Sequence, residues 1–370
     1  MIACERHRRP AFALTTLPPD PALARRLAGL ARVAVGAEIE ALVEAARGLL
    51  RQTRPAAVVA VREDTVLAAA RLRAELGVAG NGVEAALACS DKPAMKEAAE
   101  AAGIAVARWR RVGPATSGAE LVRELGLPLV VKPGRSSGGR GQRIARSAAE
   151  LEAALPGAAL VERIVSGVEM SVESFVAGGR VLFANPTEYL VPRHANVVPA
   201  ALEEGVRAAV LQLNAAVIAG LGVERGMTHV ELFLTERGPV FGEIAARPPG
   251  GRLMPLLRRA WGFDPWRALL QVELGEPARF PAQPRRVAGT WILHPGAGTV
   301  SSVEGREEAA RVPGVTRVRV RVDRGARIPP RLGTGQDIGY LQAEGPTRDG
   351  VARALERAHA ALQIRLEEAG

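Results

Sequence analysis

Two glutamates, Glu231 and Glu243, stand in a segment that reads as one β-hairpin, MTHVELFLTERGPVFGEIAAR over 227–247. With the turn centred on Arg237, facing residues carry numbers summing to about 474, so the two carboxylates should sit directly opposite on one face. Cβ atoms so placed are about 4.5–5.5 Å apart, where like charges destabilise a sheet. A raised pKa on one carboxylate would relieve the repulsion, and a divalent cation would relieve it better. Magnesium suits the pair, since it takes one or two carboxylates and completes its shell with water and nucleotide phosphates. The plainer alternative is a solvated acidic pair on an open face. Phe233 and Phe241, expected on the same face, argue against full exposure.

The loop GRSSGGRG (134–141) follows an apolar strand that ends at Lys132. Its glycines let backbone N–H groups approach phosphate oxygens, and consecutive N–H groups form anion-binding nests. It is not a P-loop, because Lys132 precedes the loop and no G-K-[ST] closes it. Taken alone, a Gly/Ser loop is also an ordinary flexible connector. Arg247, four residues after Glu243, carries a planar fork that suits a carboxylate or phosphate beside a metal. His194, in YLVPRHANVVP, is a candidate donor to an anionic intermediate or a bland loop histidine, and His294 has a weaker claim. No Ser/His/Asp order suggests a hydrolase, and no C-x-x-C or H-E-x-x-H suggests zinc.

Composition narrows the classes. Only three of the 49 basic residues are lysines, Lys92, Lys96 and Lys132; the rest are arginines spread along the chain. The net charge of +10 therefore reflects a general arginine preference, and with 4% aromatics and no basic block nucleic-acid binding is not expected. Where arginine is the default cation, a lysine marks a site that needs a compact point charge. No run approaches a membrane span, the first ten residues lack a signal-peptide core, and Cys4 and Cys89 form no disulfide framework. A cytoplasmic protein is expected.

The elements that must position these residues can be read in order. Apolar runs at 32–37 and 56–61, followed by helices at 38–52 and 64–77, predict a small parallel α/β unit over 1–90, without a dinucleotide fingerprint. A helix runs from about Asp91 to Ala102, with Asp91 and Pro93 as its start and Gly103 as its stop. Strands are expected at 127–133, QRIAR and ALVERIV, with a helix in SAAELEAALPG. MSVESFVAGGRVLFANPT (170–187) alternates about Gly178–Gly179 as a first hairpin, and an amphipathic helix covers 202–221. A Pro-rich stretch near 280 marks a boundary, followed by a strand at 315–322 and a final helix at 348–367.

In order, SDKPAMKEAAEAAGI, LVVKPGRSSGGRGQR, LVERIVSGVEMSVESFV, THVELFL and VFGEIAARPPGG resemble the ATP-grasp superfamily over roughly 55–275. The branch they resemble is the carboxylate–amine ligases, the L-amino-acid ligase group, and the tail from GTWILHPGAGTVSSVEG to TGQDIGYLQAEGPT is similar to the C-terminal domain of that group. The resemblance implies an α/β (α+β) ATP-grasp fold. It divides into an N-terminal Rossmann-like unit (1–90), a nucleotide-binding and catalytic region (91–278) with a small lid at about 105–162, and a C-terminal mixed α/β domain (279–370).

It also implies roles. Lys92 and Lys132 would contact ATP; Ser136, Ser137, Gly138, Gly139 and Gly141 would close over its phosphates; Glu162 with the Arg163, Ile164 and Val165 backbone would form the adenine hinge; Glu169 would bind ribose. Glu231 and Glu243 would hold magnesium, with manganese as a substitute, and Arg247 would hold the acid substrate and its acyl phosphate. Small-molecule acid and amine substrates are implied, no membrane partner, and a homodimer is compatible. Many members read E-x-N at the second metal position, whereas this chain has Glu243-Ile244-Ala245, which leaves a second magnesium open. Bicarbonate-using carboxylases and ligases that load an acid onto a carrier protein share enough of the pattern to stand as alternatives, as does a non-catalytic nucleotide-binding regulator.

Overall fold

The computed structural model describes residues 10–367 apart from 35, 52, 334 and 335. Cys4 and the charged opening residues lie outside the described residues. An eight-stranded antiparallel sheet holds the acidic hairpin at one edge. Its strands run in the order Gly238–Ala245, Arg225–Thr235, Val168–Ala177, Arg180–Val191, Ala195–Val198, Val287–Leu293, Gly339–Gly345 and Val315–Val320. One sheet therefore continues across residue 278, where composition suggested a boundary.

Both hairpins form, each for a local reason. In the first, Gly178 and Gly179 sit at φ 57° and 68° between the paired Ala177 and Arg180. That is the two-residue turn glycines favour. In the second, Thr235 pairs with Gly238, so the turn is Glu236–Arg237 and not one centred on Arg237. Counted from there, Glu231 would face Gly242. A β-bulge after Leu232↔Phe241 absorbs one residue and restores Glu231↔Glu243. A Cβ at Gly242 would lie 3.0 Å from the Glu231 carbonyl oxygen and 3.2 Å from the Phe233 ring. The turn position overturns one expectation: Phe241 pairs with Leu232 and packs with Val230 and Ile244, away from the carboxylates.

The two faces of this sheet have different work. One packs against helices Lys92–Ala101 and Glu204–Gly220 through Met95, Ala99, Val217, Ile218 and Val210. On the other, Phe175, Phe183 and Met227 pack under helices Leu253–Trp261 and Pro265–Leu274. Farther along that face, period-two alternation brings Glu173, Ser171, Asn185, Thr187, His229 and Glu231 onto neighbouring strands.

A second, four-stranded antiparallel sheet runs Trp109–Arg111, Leu160–Arg163, Leu129–Lys132 and Arg143–Ala145. Helices Gly118–Leu125 and Ala148–Ala154 cover it, with Leu121, Leu125, Leu151 and Val161 in its core. This sheet ends at Lys132 and carries the glycine loop.

The N-terminal region departs from its reading. Its parallel pair is Phe12–Thr15 with Gly29–Arg32, so the strand expected at 32–37 lies earlier. The run 56–61 joins no sheet: the Arg73 guanidinium donates to the Val58 carbonyl at 2.9 Å, taking an acceptor a ladder would need. The C-terminal helix also stops early, at Ala361. Gln363–Leu366 then forms a strand against Gly298–Glu304, because QIRL alternates in period two.

Replacing Gly242 by valine should strain the bulge. We expect a loss of about 1–3 kcal/mol and a thermal midpoint lowered by several degrees. A calorimetric midpoint equal to that of the natural protein would contradict this account of the bulge.

Candidate active site

The opposed carboxylates do not face each other uncompensated. Glu243 lies 3.0 Å from the Lys92 ammonium, which also donates to the Ser136 carbonyl at 3.2 Å. Lys92 is held by the start of its helix, where the Asp91 side chain accepts from the Ala94 N–H at 3.1 Å. Glu231 lies 3.4 Å from His229 Nε2 and accepts from the Tyr189 hydroxyl at 3.4 Å. Both carboxylates stay partly open, with side-chain exposures of 36% for Glu231 and 27% for Glu243. Burial disfavours charge on both His229 and Glu231, but their hydrogen bonds win. His229, bonded to Glu173 and Glu231, is raised to about 9, and Glu231 is held well below the usual carboxylate range.

All three lysines converge here. Lys132 lies 2.5 Å from one oxygen of Glu162, and Lys96 lies 2.9 Å from the other. Lys96 also donates to the Gly242 carbonyl at 3.1 Å, tying the small sheet to the bulge of the large one. Burial pushes the Lys96 ammonium down. Lys132 is raised, because the charges of Glu162 and Glu243 outweigh its burial. The Glu162 carboxylate is thus committed to lysines, so its share in an adenine hinge would be its backbone, followed by Arg163, Ile164 and Val165 at the sheet's end.

In the glycine loop Gly138, Gly139 and Gly141 stand at φ 63°, 74° and 72°, which side-chain-bearing residues rarely adopt. The Ser137 hydroxyl accepts from Arg140. A Cβ at Gly139 would fall 2.4 Å from the Arg193 guanidinium, so that arginine lies directly over the loop. Glu169, on the first hairpin, is raised to about 7 by burial, with Glu231's charge adding.

The two residues assigned to substrate chemistry have partners of their own. Arg247 Nε donates to Glu63 at 2.9 Å, and its Nη1 to the Pro248 carbonyl. Its fork is already half engaged by the N-terminal region. His194 meets Arg331 of the C-terminal segment at 2.8 Å, and burial with Arg331's charge lowers its pKa, favouring the neutral ring. No hydrogen bond or ion pair joins His194 to the acidic pair among the described residues; its neighbour Arg193 reaches the glycine loop instead.

Three further residues escaped the sequence reading, and Lys96, singled out there as one of three lysines, was given no role. Lys96 follows Lys92 by one helical turn, and its rarity was the available signal. His229 precedes Glu231 by two positions on one strand face, so alternation could have found it. Glu173 faces His229 across the strand pair. Glu63 gave no signal, since it lies 184 residues from Arg247 and resembles a solvated helix start.

The oxygen-only pair Glu231/Glu243 beside a phosphate-type loop fits magnesium shared with a nucleotide. A protein-only cage is not formed: among the described residues no group of three or more His, Cys, Asp or Glu is placed to hold a metal. Ala245, at the position of the missing asparagine, faces His229 across the strands.

A small antiparallel sheet set against a larger one, with lysines, a glycine loop and paired acids where they meet, is an ATP-grasp arrangement. The ATP-grasp domain family matches residues 97–251, and the L-amino acid ligase C-terminal domain 2 matches 290–367. The chain is 24% identical over 304 residues to the L-arginine-specific L-amino acid ligase of Bacillus subtilis, covering 77% of this chain and 74% of that one. An uncharacterized protein of Sinorhizobium fredii is 29% identical over 287 residues, and the match spans 73% of this chain but 60% of that relative's length. The crystal structure of an L-amino acid ligase from Bacillus licheniformis superposes with a TM-score of 0.84 at 20% identity, covering 99% of this chain and 95% of that one. Residues 97–251 thus belong to the ATP-grasp domain family, joined in the same chain to an L-amino acid ligase C-terminal domain 2 at residues 290–367. Among the described residues no helix is long and apolar enough to cross a membrane.

Lys96→Met should expose the role of the buried pair, because Glu162 would keep only Lys132. We expect a loss of about 3 kcal/mol in urea unfolding. An unchanged unfolding free energy would show that Lys96 does not pin the two sheets.

Proposed function

We propose that this chain is an ATP-dependent carboxylate–amine ligase acting on small molecules, with an amino acid as the acid substrate. The observation that carries the reading is the convergence of Lys92, Lys132, the glycine loop and the Glu231/Glu243 pair at the meeting of two sheets. In the first step a carboxylate oxygen attacks the γ-phosphorus of ATP; the bond to the β-phosphate oxygen breaks and ADP leaves. An amine then attacks the acyl carbon of the resulting acyl phosphate, and inorganic phosphate departs as the amide forms.

Little covalent work falls to the protein in the first step, so positioning and charge neutralisation supply the rate. Lys92 and Lys132 would bind the phosphates, and the N–H groups of 136–141 would cradle them. Glu231 and Glu243 would hold one magnesium, which when bound neutralises phosphate charge. Glu169 would meet the ribose, and the 162–165 backbone the adenine. Arg193 over Gly139 would help close the loop against water, which an acyl phosphate requires. His194 would donate to the developing anion only after its ring leaves Arg331, whose guanidinium now meets Nε2 at 2.8 Å.

The Glu63–Arg247 pair favours an amino acid over a simple acid. Its two charges, 2.9 Å apart, match a zwitterion's own. Arg247 would turn to the carboxylate and then the acyl phosphate, and Glu63 would receive the ammonium group. Each partner exchanges one charged contact for another, which limits the desolvation penalty.

Incubation with ATP, magnesium and pooled amino acids should release ADP and phosphate, and hydroxylamine should trap a hydroxamate only when acid and ATP are both present. Release of AMP and pyrophosphate, or dependence on bicarbonate alone, would overturn the reading. Glu243→Gln should lower turnover by about 100-fold or more while the circular dichroism stays unchanged. Full turnover in that variant would remove Glu243 from the metal site. For Glu63→Gln we expect KM for the amino acid to rise about 10-fold or more, with little change for the matching acid that lacks the amino group. Equal effects on both would refute the ammonium contact.

A further inference from the structure

Beneath the acidic pair lies a chain of buried hydrogen bonds that the ligase reading leaves unused. It begins in the apolar core, where the indole N–H of Trp261 donates to Asn185 Oδ1 at 2.8 Å. The Asn185 amide in turn donates to Glu173 Oε2 at 3.2 Å. The Ser171 hydroxyl donates to Glu173 Oε1 at 2.7 Å, the Thr187 hydroxyl donates to Oε2, and His229 Nδ1 meets Oε1 at 2.9 Å. The far nitrogen of the same imidazole lies 3.4 Å from Glu231.

Glu173 is 0% exposed, and four side chains supply its hydrogen bonds. A core has no need of such a carboxylate, since apolar side chains of similar volume commonly stabilise as well or better. The network does have a direction. Every donor to Glu173 is itself fixed on the central strands, and among them it is the imidazole of His229 that is aimed at Glu231, which also accepts from the Tyr189 hydroxyl. That carboxylate is the more open of the pair and could be solvated without help. Strand pairing fixes His229 from both sides, opposite Glu173 on one neighbour and the small Ala245 on the other.

We propose that His229, held by Glu173, is a positioning residue that fixes the Glu231 carboxylate for the divalent cation. The proposal rests on the reading of Glu231 as a metal ligand. An imidazole locked at one nitrogen by a buried carboxylate has no rotational freedom to lose when the cation arrives, so the ligand beyond it is preorganised. Loss of the imidazole leaves Glu231 with the 3.4 Å contact to the Tyr189 hydroxyl, too weak to stop it turning into the cleft. Glu173→Gln keeps the shape but loosens the ring's anchor, so it acts in the same direction, more weakly.

The test measures Mn2+ binding by electron paramagnetic resonance in the presence of ADP, alongside ADP binding without metal and the thermal midpoint. For His229→Gln the Mn2+ dissociation constant should rise about 10- to 100-fold, while metal-free ADP affinity stays within about twofold. Glu173→Gln, read in the same way, covers the case in which the first variant does not fold. A Mn2+ affinity equal to that of the natural protein in either folded variant overturns the positioning role. So does a parallel loss of metal-free ADP affinity, which marks a merely structural part. If the natural protein itself binds no Mn2+ with ADP, the metal reading of Glu231 fails, and this inference with it.

Discussion

Two carboxylates on one face of one hairpin impose the constraint on which the site depends. Their mutual repulsion must be met, and the chain's own side chains meet it with Lys92 on one side and His229 on the other. Each compensating group needs its own support. Lys92 is placed by a capped helix start, and His229 by a carboxylate buried among hydroxyl and amide donors. Replacing Glu173 with an apolar residue would take from the buried His229 its nearer carboxylate, and loss of one partner of a buried pair is strongly destabilising.

The charges come from every part of the chain. Glu63 enters from the N-terminal region, Lys92 and Lys96 from the helix before the small sheet, Lys132 and Glu162 from that sheet, and Arg331 from the C-terminal segment to reach His194. Lys96 joins Glu162 to the carbonyl of Gly242, the residue whose bulge sets the acidic register. Small shifts between the two sheets are therefore felt at the carboxylates. A site assembled in this way suits a reaction whose rate comes from placing charges.

Much of this was legible in the sequence, and the exceptions have physical reasons. Period-two alternation gave both hairpins, and the scarcity of lysine pointed to the ATP end. The Glu231/Glu243 register came out right although the turn was misplaced by half a residue, because the bulge at Gly242 compensates. Phe241, on the turn side of the bulge, was misassigned because nothing compensates the misplaced turn there. The run at 56–61 has strand composition, but a distant arginine takes its carbonyl. The tail after Ala361 reads as helix until the partner strand at Gly298–Glu304 is in place. Glu63 and Glu173 are legible only in three dimensions, since what matters is whom they meet across the fold.

The most direct test of the central claim is an anomalous-difference map from crystals grown with Mn2+ and ADP. The account predicts one strong peak within bonding reach of carboxylate oxygens from both Glu231 and Glu243. Nucleotide bound in the cleft with no peak between those two side chains, or with the metal held elsewhere, would contradict it.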